Sequence, residues 1–322
     1  MTDAAAVAQA VRAALDDLDP DSLVLVACSG GADSLALADG VRRTRARAGA
    51  VVVDHGLQDG SRETAERVGA WLREQGLDPV EVVTVDVGTA GGPENAARDA
   101  RYAALHEAAD RLGAAAVVLG HTLDDQAETV LLALARGSGT RSLAGMAAAR
   151  GPFRRPLLGL RRDVVRAAVP AGAPVVADPH NDDRRYSRVR VRHDVLPVLE
   201  GELGPGIAEA LARTASLARD DADLLDSQAA EAFSVITSGE PAGLGSDDLA
   251  ALPQALRSRV VRRWLVDGGV PAGALAAEHV ERVLRLVTSW RGQGAVALPG
   301  GVEAARSYGR LHLRPTPPRE ES

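Results

Sequence analysis

Apolar positions along this chain follow two registers. Mainly apolar runs occupy residues 23–27, 50–54 (ending on Asp54), 80–85 (broken by Glu81 and Thr84) and 115–120, and between them apolar residues return every three or four positions. Short runs without alternation suit strands covered on both faces, whereas the longer spacing suits helices. Val7, Val11, Leu15 and Leu18 predict a leading helix over 4–18 that Asp19-Pro20 ends. Leu35, Ala36, Leu37 and Val41 predict a second after the first run, Val68 and Leu72 face inward on a third that opens at Ser61, and a fourth spans 94–112. Strands alternating with helices imply right-handed crossovers and a parallel sheet with helices on both faces, with ligands at the carboxyl ends of the strands. The polar clusters at 28–34, 54–58, 88–95 and 120–128 all fall at such ends and can converge on one cleft.

Past residue 153 the pattern shortens and becomes basic, with a strand-like 154–158, a brief helix from near 163, a turn-rich 178–183 and a helix over 188–199. Gly201, Gly204, Pro205 and Gly206 mark a boundary. The expected division is therefore a first, α/β domain at 1–200, a smaller, mainly helical accessory domain at 201–314 and a disordered tail at 315–322. In the second part, helical spacing predicts a long helix over 207–233 and others near 247–266 and 276–290, then a hairpin pairing 295–298 with 310–313.

Composition narrows the chemistry. A single cysteine, Cys28, excludes an internal disulfide and any CxxC metal or sulfur-relay site. No run approaches a membrane span, and the first residues lack a basic-then-apolar signal pattern, so a cytoplasmic protein without membrane contact is expected. Aromatics are only 2 %, which argues against base stacking as the main mode of binding nucleic acid. The net charge of -7 argues weakly in the same direction, but its distribution matters more. All 37 basic residues are arginine, and Arg136, Arg141, Arg150, Arg154, Arg155, Arg161, Arg162 and Arg166, followed by Arg184, Arg185, Arg188, Arg190 and Arg192, concentrate mid-chain. Such a band either docks RNA phosphates or is a solvated face.

Two stretches carry candidate chemistry. In Ser29-Gly30-Gly31-Ala32-Asp33-Ser34, small residues expose backbone N–H groups between a strand and a helix start, where unpaired donors and the dipole favour an anion. The spacing is neither that of a Walker loop nor that of a dinucleotide fingerprint. In the second stretch, residues 120–129, Asp125 and Glu128 stand three apart at the start of a helix and share a face. They could hold Mg2+, bind an amine or remove its proton; equally, Thr122 and Asp125 fit a capping box.

The first stretch resembles the SGGxDS signature of the PP-loop ATP pyrophosphatases. Further segments resemble those of the tRNA(Ile)-lysidine synthetases and run in that family's order: VDHGLQDGS at 53–61, ENAARDARYAAL at 94–105, the stretch from Gly120 through Met146, RPLL at 155–158 and the segment 178–200. The resemblance covers the first 200 residues. It implies an adenine nucleotide α-hydrolase-like fold and a two-step ligation: ATP adenylates the wobble cytidine of a CAU-anticodon tRNA(Ile), and the ε-amine of free L-lysine then displaces AMP to form lysidine, so that the tRNA reads AUA as isoleucine. It assigns Ser29, Gly30, Gly31, Ala32, Asp33, Ser34, Asp54, His55 and Gly56 to ATP, with Asp33 as the Mg2+ ligand. Asp125 and Glu128 take the lysine, and Arg98, Arg101, Arg136, Arg141, Arg188, Arg190 and Arg192 face the tRNA. Other PP-loop chemistry, by amidation or thiolation, and a non-catalytic nucleotide-binding module are the alternatives. The sequence leaves the oligomeric state open, a homodimer included.

Overall fold

The computed structural model describes residues 2–56, 60–86, 93–137, 139–176, 178, 182–237 and 243–316, and for 93–95 the backbone only. Contacts group the chain into two compact units, Met1–Arg219 and Asp220–Ser322.

In the first unit the strands are β1 (Val24–Ala27), β2 (Ala48–Asp54), β3 (Val80–Thr84), β4 (Ala116–Leu119), β5 (Ala149–Arg150) and β6 (Phe153–Arg154), in the spatial order β3-β2-β1-β4-β6-β5. All neighbouring pairs are parallel except β5 with β6. The chain steps outward from β1 to β3, then returns to place β4 on the other side of β1. Strand order therefore reverses between β1 and β4, the position where open α/β sheets bind ligands.

Why the apolar runs do not alternate is visible in the core. Val24, Val26, Ala50, Val52, Ala116 and Val118 pack with helices α1 (Asp3–Ala14), α2 (Ala32–Arg42) and α3 (Ser61–Glu74). Leu23, Leu25, Val51, Val117 and Leu119 pack instead with Leu105, Ala108 and Ala109 of α4 (Pro93–Leu112). Successive side chains point to opposite faces, and both faces are covered. Burying each of these leucines and valines contributes roughly 1.5–3 kcal/mol.

The remaining elements of this unit are α5 (Leu123–Ala135), α6 (Thr140–Leu143), α7 (Arg162–Ala167), α8 (Ser187–Arg190), α9 (Leu196–Glu202) and the start of α10 (Ile207–Thr237). The expected strand at 154–158 is instead β6 followed by a 3-10 turn at Pro156–Gly159, because Pro156 has no N–H for a ladder. The expected helix over 188–199 is interrupted by a π-helical segment, Val191–Val195.

Residues 203–206 separate α9 from α10, Gly201 itself lying within α9, and the compact units divide at Arg219, inside α10. Ala208 of α10 is buried beside Leu123 and Ala127 of α5, and Arg219 donates to the carbonyls of Ala144 and Gly145 at 2.6 and 2.9 Å. The first turns of the long helix thus belong to the first unit.

The second unit holds α11 (Ser246–Ala251), α12 (Gln254–Asp267) and α13 (Ala277–Thr288), and a four-stranded antiparallel sheet. Its strands are β7 (Leu244–Gly245), β8 (Val296–Leu298), β9 (Val302–Ser307) and β10 (Arg310–Pro315), in the order β7-β10-β9-β8. The expected pairing of 295–298 with 310–313 is corrected: β8 pairs with Val302 to Ala304, and β10 pairs with β9 and β7. Gly300-Gly301 and Gly309, all at positive φ, close two tight turns that make adjacent strands the partners. Pro315 is paired with Val302, so the tail begins later than 315; residues 317–322 lie outside the described part.

Candidate active site

The loop after β1 is held by its own polar atoms. Ser34 Oγ donates to the Gly31 carbonyl at 2.8 Å, Gly31 N donates to Ser29 Oγ at 3.4 Å, and the carbonyl of Gly30 accepts from Val176 N at 2.9 Å. Gly30 sits at φ +79°, and a Cβ there would lie 2.8 Å from both Val176 and Val68, so neither the backbone nor the space admits a side chain. Gly120, at the end of β4, brings its backbone against Asp33 and Ser34: a Cβ would meet the Asp33 carbonyl carbon and Ser34 N at 3.2 Å. The two expected stretches therefore touch at the switch point. Cys28 lies beneath, its thiol buried, pushed up by that burial, and 3.5 Å from Ser34 Oγ.

Asp33, in the first turn of α2, has a buried Oδ1 with no hydrogen-bond partner. Arg166 Nε lies 3.8 Å from that oxygen and Arg162 Nε lies 4.0 Å from Oδ2. Burial raises the Asp33 carboxyl and the neighbouring Asp125 adds to it, against the pull of Arg162, Arg166 and Arg192. At the end of β2, the buried Asp54 accepts from Gly56 N at 3.0 Å, closing a turn that carries His55. Burial and Arg101 hold His55 below its ordinary range. Residues 57–59 of the same expected cluster, 87–92 of the next and 179–181 of the turn-rich loop lie outside the described part.

Across the switch point stands the acid pair. Thr122 caps α5 and forms the expected box: its backbone N–H and hydroxyl both donate to Asp125 Oδ2 at 2.8 Å, and its Oγ1 accepts from Asp125 N. Glu128 is wholly buried. Two guanidinium groups hold both acids. Arg162 Nη2 donates to Asp125 Oδ1 at 2.8 Å and to Glu128 Oε1 at 3.0 Å. Arg192 donates from Nε to Glu128 Oε1 at 2.7 Å, and from Nη2 to Glu128 Oε2 at 3.1 Å and Asp125 Oδ1 at 3.3 Å. Burial acts to raise Asp125, but Arg162, the Thr122 donors and His121 outweigh it and hold the carboxyl below its usual range. A cavity of about 260 Å³ opens beside the pair, lined in part by Asp124, Glu128, Arg161, Arg162, Arg192 and Glu200.

The expected RNA-facing arginines make different contacts. Arg188 and Arg192 point towards α5, Arg188 donating to Thr129 Oγ1 at 3.0 Å. Arg190 instead donates to the carbonyls of Arg184 and Arg185 at 2.7 and 2.9 Å. Residues four apart on a helix share a face and those two apart do not. Arg98 and Arg101 lie over the Tyr102 ring, 5.3 and 5.5 Å from its centroid, while Arg136 is exposed at the end of α5 and Arg141 lies on α6. Burial lowers Arg101, and Arg98, Arg155 and Arg188 add to that. His121, just past β4, is pushed down to about 3 by burial, reinforced by Arg155, Arg101 and Arg188 and opposed by Asp125, so it is neutral at pH 7.

Three of the residues assembled here carried no specific expectation. Arg162 and Arg166 were part of a general basic band, and His121 was only a letter in the second stretch. Arg162 follows the 3-10 turn at a position that no periodicity marks.

The loop after β1 lies at the switch point of an open, mostly parallel sheet, and residues 4–199 match the family model described as a PP-loop domain. Residues 246–312 match the model described as the TilS substrate binding domain. The fold also resembles the U34-tRNA thiolase NcsA of Methanococcus maripaludis, with a TM-score of 0.56 and 20 % identity over 67 % of this chain and 79 % of that one. The tRNA(Ile)-lysidine synthase of Thermobifida fusca is 59 % identical over 95 % of this chain and 96 % of its own length. That of Streptomyces coelicolor is 56 % identical over 91 % and 85 %, and that of Mycobacterium bovis 48 % over 97 % and 96 %. The chain belongs to the tRNA(Ile)-lysidine synthase family.

Proposed function

We propose that the chain joins free L-lysine to carbon 2 of the wobble cytidine in a CAU-anticodon tRNA(Ile), using ATP, and that the two halves of its site serve the two steps. In the first step the cytidine O2 attacks the ATP α-phosphorus; an O–P bond forms, the bond to the β-phosphate oxygen breaks, and pyrophosphate leaves. In the second the lysine ε-amine, having given up a proton, attacks carbon 2, the carbon–oxygen bond to AMP breaks, and AMP leaves. The observation that carries the reading is the contact of the Ser29–Ser34 loop with the Gly120 turn, which sets a phosphate cradle beside a buried acid pair.

The roles follow from chemistry. Backbone donors of Gly30, Gly31, Ala32 and Asp33 and the hydroxyls of Ser29 and Ser34 suit the pyrophosphate end of ATP. Asp54, His55 and Gly56 flank the nucleotide from the end of β2. The unpartnered Oδ1 of Asp33 suits Mg2+, and no group of three or more His, Cys, Asp or Glu side chains that could hold a metal occurs among the described residues. An ion there would draw its other ligands from phosphate oxygens and water, as Mg2+ commonly does, and would neutralise charge on the leaving pyrophosphate.

Asp125 and Glu128 suit the lysine ammonium, and a carboxylate of this pair is the acceptor for the proton the amine must lose. The adjoining cavity of about 260 Å³ is the volume of about nine waters at roughly 30 Å³ each, which accommodates one free amino acid. Arg98, Arg101 and Arg188, near enough for Arg98 and Arg188 both to lower Arg101, suit RNA phosphate, as do Arg136, Arg141 and Arg190. The lone, buried Cys28 gives no support to thiolation.

The test supplies radiolabelled L-lysine, ATP and Mg2+ to an unmodified CAU-anticodon tRNA(Ile) transcript and follows label and AMP together. Incorporation that disappears when the wobble cytidine becomes uridine is the expected result. AMP release without incorporation would demand another nucleophile, and silence in both would sink the proposal.

A further inference from the structure

The acid pair has little acceptor capacity to spare: every oxygen but Glu128 Oε2 takes two donors. Asp125 Oδ2 takes two donors from Thr122, Asp125 Oδ1 takes both Arg162 and Arg192, Glu128 Oε1 takes both again, and Glu128 Oε2 takes Arg192. A lysine ammonium brings three donors and a positive charge. Added to this set it would place a third cation on two carboxylates, with Arg188 Nε already 3.9 Å from Glu128 Oε2. The single open position on Glu128 Oε2 cannot meet three donors, so one guanidinium has to leave first.

The geometry singles out Arg162. Arg192 grips Glu128 through two nitrogens and both carboxylate oxygens, whereas Arg162 reaches both acids through Nη2 alone. The other edge of the Arg162 guanidinium faces the loop: its Nε lies 4.0 Å from Asp33 Oδ2, in the first turn of the helix that the phosphate cradle opens. Arg162 also lines the cavity beside the acids. One side chain thus touches the acid pair, the cavity and the nucleotide side of the switch point. A triphosphate in the loop offers a planar guanidinium several anionic oxygens in place of the two it holds.

We propose that Arg162 is a positioning residue that makes the lysine site conditional on nucleotide. Without ATP it clasps Asp125 and Glu128 and keeps the cavity closed to an ammonium. With a triphosphate in the loop it turns to the phosphates, and the freed oxygens accept the lysine. Lysine binding then follows nucleotide binding, and the coupling is reciprocal: lysine tightens the nucleotide by the same factor. This rests on the assignment of lysine to the acid pair.

Calorimetric titration of L-lysine into the full-length chain, with and without Mg2+ and an ATP analogue carrying a methylene between the α- and β-phosphates, tests it. The wild-type chain should bind lysine at least about tenfold more tightly with the analogue, in the range usual for coupled sites. Arg162→Gln should bind lysine without the analogue as tightly as the wild type does with it, and thermal melting checks that the variant is folded. Arg162→Met, of similar length, serves if the glutamine variant melts early. Equal wild-type affinity in the two conditions overturns the gate, as does an Arg162 variant that weakens lysine equally in both. If lysine binds and Glu128→Gln abolishes binding, but the analogue has no influence, the gate alone fails. Absence of lysine binding in every condition removes the acid-pair assignment and the gate with it.

Discussion

The two halves of the site meet at Gly120 yet are built on opposite principles. The loop after β1 leaves a buried carboxylate oxygen of Asp33 without a hydrogen bond, its nearest cations 3.8 and 4.0 Å away. In the first turns of α5, Asp125 and Glu128 are instead clasped by two guanidinium groups at 2.7–3.3 Å. A site for an anion can be left open, because water serves its donors until the ligand arrives. A pair of buried carboxylates cannot, because two unpaired like charges in a low-dielectric setting would destabilise the fold or take up protons. The chain therefore neutralises this pair with its own cations.

Removing an acid from the closed half should do the most damage to stability. Glu128→Ala leaves Arg162 and Arg192 facing one carboxylate, and chemical denaturation should show a loss of roughly 3–5 kcal/mol. Asp33→Ala, in the open half, breaks no hydrogen bond at Oδ1; AMP formation should fall by about 100-fold or more while the melting temperature changes little. A collapse of stability there would mean that the open half is also structural. Gly30→Ala should cost roughly 1–3 kcal/mol, since it combines positive φ with a 2.8 Å collision against Val68 and Val176. Thr122→Ala, which removes the cap and one donor to Asp125, should cost about 1 kcal/mol, and Thr122→Ser should recover most of it.

Acid should also loosen the closed half. His121 lies below its ordinary 6.5, at about 3, so the unfolded chain binds its proton first and stability is lost as pH falls from 6.5 towards 3. Asp125, held below its ordinary 3.8, contributes stability that is present above that value and lost as pH falls through its lowered one. Denaturation midpoints between pH 7 and 4 should decline in the wild type and decline less in His121→Phe. An identical decline would place the acid sensitivity elsewhere.

Much of the first unit was readable because its periodicities are unambiguous. Runs at 23–27 and 115–120 suit strands buried on both faces, and the spacing of Thr122 and Asp125 fits the capping box that starts α5. What stayed hidden is set by contacts distant in sequence. Arg162 reaches residues 34 and 37 positions away, and nothing in its neighbourhood separates it from Arg161. The same limit explains the split of Arg188 and Arg192 from Arg190, visible only once the helical face is known, and the pairing of β8 with β9, which follows from two short glycine turns rather than from strand composition.

The central claim is that the open half activates the tRNA and the closed half delivers the amine. Asp125→Asn and Glu128→Gln, checked for folding by thermal melting, should be assayed with ATP, tRNA and lysine for both pyrophosphate release and lysine incorporation. The account predicts variants that still release pyrophosphate in a tRNA-dependent manner but incorporate little or no lysine. Variants that lose both in parallel, or that keep incorporation, would contradict it.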